Sequence, residues 1–394
     1  MAQRGGPNRS AGSLGGLVAS REIVIACGSG GVGKTTTAAA LAATAALHHQ
    51  TKVLVLTVDP ARRLADALGL DGLGNDARRV DPAAFSKSGT KPRGDMWAAM
   101  LDTKQSWDDL VRRHAPDKAT VERILTNPLY DNISGRFVQS HDYIAMERLY
   151  ELHTSGVYDL IVVDTPPSRN ALDFIAAPRR MAEFFSSKLL RLLIAPYKSR
   201  LVNVASRPFY QVADRVLGSQ FLEDIAEFFI LFQTMYPGFV ERARAVERLL
   251  ADRRTTFVVV STLEPAPAAE AEFFIEVLTS RGYDLGALVL NKVLPAYLLD
   301  DDAAALAARL EAQAGVIAST EGLAASLGTD PQQLERVLCE VASNFSNFSM
   351  VASREAGLRR DLERRGSIVA SAPEFEGDIN DVAGLLTLGA LTWK

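Results

Sequence analysis

Eight consecutive residues constrain this chain more than anything else in it. Gly28-Ser29-Gly30-Gly31-Val32-Gly33-Lys34-Thr35 fits the pattern G-x-x-x-x-G-K-[ST] in full. An apolar run at 22–27 precedes it, fit for a strand buried on both faces. An Ala-rich, helix-prone stretch at 35–47 follows it. A strand, a glycine turn and a helix in that order point backbone N–H groups at phosphate oxygens. The helix N-terminus adds favourable partial charge. In such a loop Lys34 bridges the β and γ phosphates of ATP, and the Thr35 hydroxyl ligates Mg²⁺. The alternative is a glycine-rich turn of structural use only.

The rest of the chain suits such a loop. Further apolar runs at 52–58, 97–101, 158–163, 257–260, 285–290 and 367–370 read as strands, with helical stretches between most of them. That alternation predicts an α/β fold with a mostly parallel sheet covered by helices. Residues 1–20, rich in Gly, Ser and Asn, read as a flexible tail, and 21–394 as one domain. Two stretches, 104–155 and 178–250, read as helical insertions, and 296–365 is mostly helical as well. The second insertion holds eight of the 17 Phe in under a fifth of the chain, so apolar contact of some kind is concentrated there. Three readings of it stand: helices packed on their own domain, an exposed groove for an apolar helix, or peripheral membrane contact.

Two acidic residues end predicted strands. Asp164 closes the run IVVD and is followed by Thr165-Pro166-Pro167, where a second acidic residue supports Mg²⁺ directly or through water; the alternative is an Asp that caps a helix. Asp59, in Thr57-Val58-Asp59-Pro60-Ala61, either orients the attacking water or caps a helix that begins at Pro60. The five histidines show no metal spacing, and the net charge of −4 gives no general attraction to nucleic acid. No apolar run reaches the roughly 18 residues of a membrane span. The N-terminus lacks a secretory apolar segment, so the expected location is the cytoplasm, with a membrane-peripheral site as the variant.

Together these residues resemble the family of arsenite-pump ATPases and tail-anchored-protein-targeting ATPases, a deviant Walker-A branch of the P-loop NTPases. Residues 28–36, including Thr36, look like its phosphate loop. Asp59-Pro60-Ala61 looks like its first switch, whose Asp activates water, and 164–174 like its second. Asn291 looks like the strand-end Asn that reads adenine, and Pro373-Glu374-Phe375 like the loop that closes over the base. The resemblance implies a dimeric Mg-ATP-driven machine whose helical subdomain handles an apolar or membrane-protein client.

The departures matter as much. Ser29 stands where the family carries its signature Lys, which reaches the partner's phosphates in the dimer. A neutral hydroxyl cannot supply that charge. The chain would then act as a homodimer with slow hydrolysis, as a nucleotide-gated scaffold, or as the regulatory half of a heterodimer with a lysine-bearing paralogue. Only two cysteines are present, Cys27 and Cys339, too few for the zinc clasp of the targeting branch or the metalloid site of the arsenite branch.

Overall fold

The computed structural model describes residues 13–58, 63–130, 138–166, 176, 177, 179, 180, 183, 219–365 and 368–393. Eight strands form one sheet: β1 (Ile23–Cys27), β2 (Lys52–Thr57), β3 (Arg78–Arg79), β4 (Asp95–Met100), β5 (Leu160–Asp164), β6 (Thr255–Ser261), β7 (Leu285–Val293) and β8 (Val369–Pro373). Their order is β3-β4-β2-β5-β1-β6-β7-β8. Every pairing is parallel except the short edge strand β3, which runs antiparallel to β4. From β1 the chain first builds one side of the sheet and then, from β6 on, the other. The crevice beyond the carboxyl end of β1 is therefore a topological switch point, where α/β sheets take their ligands.

The central strands are buried on both faces because their residues alternate between two cores. Ile23, Ile25 and Cys27 of β1 belong to one core, and Val24 and Ala26 to the other. On the second side lies α2 (Lys34–His48), whose run of alanines from Ala38 to Ala46 is buried. Small side chains let it lie flat on the sheet, and α14 (Val382–Thr392) packs against it. The opposite side carries α5 (Thr103–His114), α6 (Lys118–Leu125), α7 (Val138–Thr154), α8 (Ser219–Gln233), α9 (Tyr236–Leu250) and α10 (Pro265–Ser280).

This second layer is aromatic. Trp107, fully buried, sits 5.8 Å from Tyr143, 6.2 Å from Phe232 and 6.3 Å from Phe239, ring centre to ring centre. Phe228 stacks on Phe232 at 5.0 Å, and Phe232 on Phe239 at 5.1 Å. Four phenylalanines of the Phe-rich stretch, Phe228, Phe229, Phe232 and Phe239, are therefore core, which is the first of its three readings. Phe184, Phe185 and Phe209 lie outside the described residues. A buried ion pair crosses this layer, from Arg242 Nε to Glu147 Oε1 at 2.6 Å.

After β7 the chain departs from the sheet as an arm. A 3₁₀ turn (Ala296–Leu299) leads into α11 (Asp301–Ala318), the short α12 (Leu323–Ser326) and the 33-residue α13 (Pro331–Glu363). The chain then returns to β8. Only Leu334, Ala342, Ala352 and Leu362 of α13 are fully buried. No helix among the described residues is long and apolar enough to cross a membrane.

One expectation needs correcting. The stretch 1–20 is not tail throughout: α1 (Leu14–Ala19) is a helix capped by the Ser13 hydroxyl, which accepts from Gly16 N. Leu14, Leu17 and Val18 are buried, and the Gly15 N–H bonds to the Trp393 carbonyl. Six residues are too few to show a period, so the helix exists only where α2 and the C-terminal end of the chain cover it.

Candidate functional site

The phosphate loop joins β1 to α2 with the geometry its sequence requires. Gly28 has φ +150°, and a Cβ there would collide with the Val260 carbonyl oxygen of β6. Gly33, at φ +92°, caps α2, and a Cβ there would strike the Asn291 carboxamide. Both positions need glycine for the conformation and for the close approach. Lys34 is buried, and its Nζ donates to the Ser29 carbonyl oxygen at 2.6 Å. The Ser29 hydroxyl is buried without a hydrogen-bond partner among the described residues.

At the mouth of the loop the last residue of β5 meets the start of α2. Asp164 is completely buried. Its Oδ2 accepts from the Thr35 hydroxyl at 2.7 Å and from the Thr57 hydroxyl, at the end of β2, at 2.9 Å. The next residue is fastened as well, since Thr165 Oγ1 donates to the Ala26 carbonyl at 2.9 Å. The ends of β2, β5 and β1 and the start of α2 are thus tied together through one carboxylate and three hydroxyls. The donors that converge here are all oxygen, the set that a hard divalent cation such as Mg²⁺ takes.

On the other side of the loop, Asn291 leaves β7 and its Nδ2 donates to the Val32 carbonyl at 2.9 Å. Lys292 follows at φ +56°, a left-handed conformation uncommon for a residue with a side chain. A cavity of about 470 Å³ opens between the loop and the segment after β8. Gly31, Gly33, Thr36, Asn291, Pro373 and Phe375 are among the residues that line it. A second cavity of about 420 Å³, lined by Thr35, Thr36, Arg63 and Asp66, shares Thr36 and Arg63 with it.

The fold therefore gathers Thr35, Thr36, Lys34, Asp164, Asn291, Pro373 and Phe375 around the exit of β1. Asp59 lies outside the described residues, as do 167–174 of the presumed second switch. Cys27 is buried in the core with its thiol toward the Val258 carbonyl, and burial pushes that thiol well above its ordinary range. His49, at the end of α2, is held below the usual imidazole range by burial and then by His48 and Arg93, so it is a poor cation for the helix dipole. The sequence reading missed Thr57, Arg63 and Lys292. Thr57 had a signal, a polar residue at the end of the apolar run KVLVLTV. Arg63 and Lys292 had none, since their role as cavity walls depends on elements far apart in the chain.

The sheet order and the loop together define a nucleotide-binding protein of the P-loop class. A family model described as anion-transporting ATPase matches residues 21–323. The chain belongs to this anion-transporting ATPase family, a family of ATP hydrolases. Among its relatives is an uncharacterized protein of Streptomyces coelicolor, 31% identical over 269 residues, which are 68% of this chain and 61% of that protein. The ATPase GET3 of Scheffersomyces stipitis is 27% identical over 285 residues, 70% of this chain and 72% of the yeast protein. The ATPase ASNA1 homolog of Entamoeba dispar is 23% identical over 274 residues, 68% and 75% of the two chains. The chain thus spans less than two thirds of the Streptomyces relative and about three quarters of the other two.

Proposed function

We propose that this chain is a Mg-ATP-dependent ATPase that acts as a dimeric, nucleotide-driven switch and handles an apolar or membrane-protein client. The observation that carries the reading is the convergence at the end of β1. A glycine loop with a buried Lys34 sits between an all-oxygen donor set and a cavity wide enough for a base. Lys34 and the backbone N–H groups from Gly30 to Thr35 bind the phosphates. Lys34 leaves the Ser29 carbonyl to do so. The Thr35 hydroxyl and Asp164, whose carboxylate is fixed by Thr57, would hold Mg²⁺, the latter through water. When bound, the cation neutralises charge on the phosphates. Asn291 reads adenine from the strand end, and Pro373 and Phe375 pack on the base. Asp59 orients the attacking water.

A second reading is favoured by one residue. Ser29 offers a neutral hydroxyl where a cation would stabilise the transition state across a dimer. The chain would then be a nucleotide-gated scaffold with little hydrolysis, or the regulatory half of a heterodimer with a lysine-bearing paralogue. Steady-state phosphate release by the purified chain, alone and with that paralogue, separates the two readings. Turnover by the chain alone that Asp59→Asn slows at least tenfold, with ATP binding spared, supports the ATPase reading. If Asp59→Asn hydrolyses ATP at the wild-type rate, the water-activating role is wrong.

A further inference from the structure

The arm carries an apolar stripe that its own fold leaves uncovered. Thirteen large apolar side chains are exposed among the described residues, and ten of them lie between Tyr297 and Val351, on the arm and its approach. On α13 four of these form a line with a seven-residue period. Val337, Val341, Asn344, Phe348 and Val351 are spaced by four, three, four and three residues, the d and a positions of a heptad. The four apolar members are 48%, 55%, 54% and 43% exposed. Leu334, the preceding a position of this line, is covered by Ala318 and Ala324 of the arm, and Ala342 and Ala352 lie on the buried flank of the helix. From Val337 on, the stripe is therefore an open seam that runs beside the contact between α11 and α13.

We propose that this seam pairs with the same seam of a second copy of the chain, with the two α13 helices antiparallel. Charge selects both the occupant and the direction. In this heptad Glu340, Asn347 and Arg354 take the flanking g positions. In an antiparallel pair, g faces g across a two-fold axis. With that axis between Ser346 and Asn347, Glu340 meets the second copy's Arg354 and Arg354 meets its Glu340. Val341 then packs in register on Val351, and Asn344 beside Phe348. A parallel pair would bring Arg354 against the second copy's Arg359, a like-charge contact. The pattern is self-complementary, and an unrelated apolar helix has no need of it. From Val337 to Val351 the seam is roughly 21 Å long at 1.5 Å per residue. Association through so short a seam is reversible and concentration-dependent.

The pairing rests on the arm alone and needs no nucleotide, so it goes beyond the ATP-driven switch proposed above. Sedimentation velocity of the full chain without nucleotide, over a concentration series, tests it. The wild type should pass from monomer to dimer. Glu340→Arg or Arg354→Glu should each raise the dissociation constant by about tenfold, and the double exchange E340R/R354E should return it toward the wild-type value. In a Cys339→Ser background, Asn347→Cys should form a disulfide-linked dimer under mild oxidation and Glu340→Cys should not. A chain that stays monomeric throughout, or a dimer indifferent to both single reversals, overturns the proposal. In either case phosphate release by the same samples still reports on the ATPase reading, so the two fail separately.

Discussion

Two helical regions of this protein treat apolar side chains in opposite ways. The layer built by α5 to α10 takes in Trp107, Tyr143, Phe228, Phe232 and Phe239 and closes them into one aromatic core against the sheet. The arm built by α11 to α13 leaves Val337, Val341, Phe348 and Met350 in contact with solvent. Helical spacing of apolar residues is present in both. The difference lies in what each faces: the first has a whole sheet to cover, whereas α13 has mainly α11. Density of Phe in a sequence therefore points to a core where a sheet face is available. Exposed apolar surface arises where a helix outruns its neighbours.

The sharpest way to break this comparison is to make the same change in both regions. Phe232→Ala should cost about 3–5 kcal/mol, the range for emptying a buried aromatic site. Phe348→Ala should stay within about 0.5 kcal/mol, since little packing is lost at an exposed position. Equilibrium denaturation with urea checks both, and equal costs would mean that the arm is covered or the aromatic layer loose.

A comparable effect should follow from Arg242→Met, which strands the buried Glu147 carboxylate. Burial already pushes Glu147 above the usual carboxylate range, and Arg242 only partly offsets it. The loss should be about 3 kcal/mol at neutral pH. It should shrink as pH falls through the raised Glu147 value, because a protonated carboxyl no longer needs the cation. Thermal melts at several pH values would register this trend.

A smaller effect concerns His114, beside Arg242 at 3.2 Å. Burial first, then Arg242 and Arg113, pushes its imidazole down to about 4. The unfolded chain binds this proton near pH 6.5 and the folded chain does not. Stability contributed by neutral His114 is thus complete above 6.5 and lost progressively as pH falls from 6.5 toward 4. His114→Gln should flatten that part of the pH–stability curve, measurable by denaturant midpoints. An unchanged slope would remove His114 as its source.

The smallest expected change belongs to the arm. At concentrations where the chain is monomeric, Phe348→Ser should lower the binding of a hydrophobic dye modestly while leaving the melting temperature unchanged. Dye fluorescence that does not respond would place the exposed apolar surface elsewhere.

Much of the site was legible in the sequence because it is local. Eight contiguous residues fix a strand–turn–helix whose glycines have no alternative at Gly28 and Gly33. Asp164 could be singled out because its apolar run comes after a phosphate loop and is followed by Thr165-Pro166-Pro167. Asn291, Pro373 and Phe375 were named by resemblance, and all three line one cavity. The order of the strands was not legible, because apolar runs do not name their neighbours. Neither was α1, whose six residues are helical only under cover.

By itself, then, the sequence determined a mostly parallel α/β sheet and a phosphate loop at the exit of its first strand, and it named the residues proposed to hold phosphate and a divalent cation. These follow from backbone conformation, from period and from charge, which act over a few residues. The tertiary structure alone decided that Thr57 and Thr35 share one carboxylate oxygen, that Phe228, Phe229, Phe232 and Phe239 are core, and that α13 presents an uncovered apolar stripe. Each of these depends on which surfaces meet. Burial is a property of the neighbours a residue is given, and a chain of letters does not carry them.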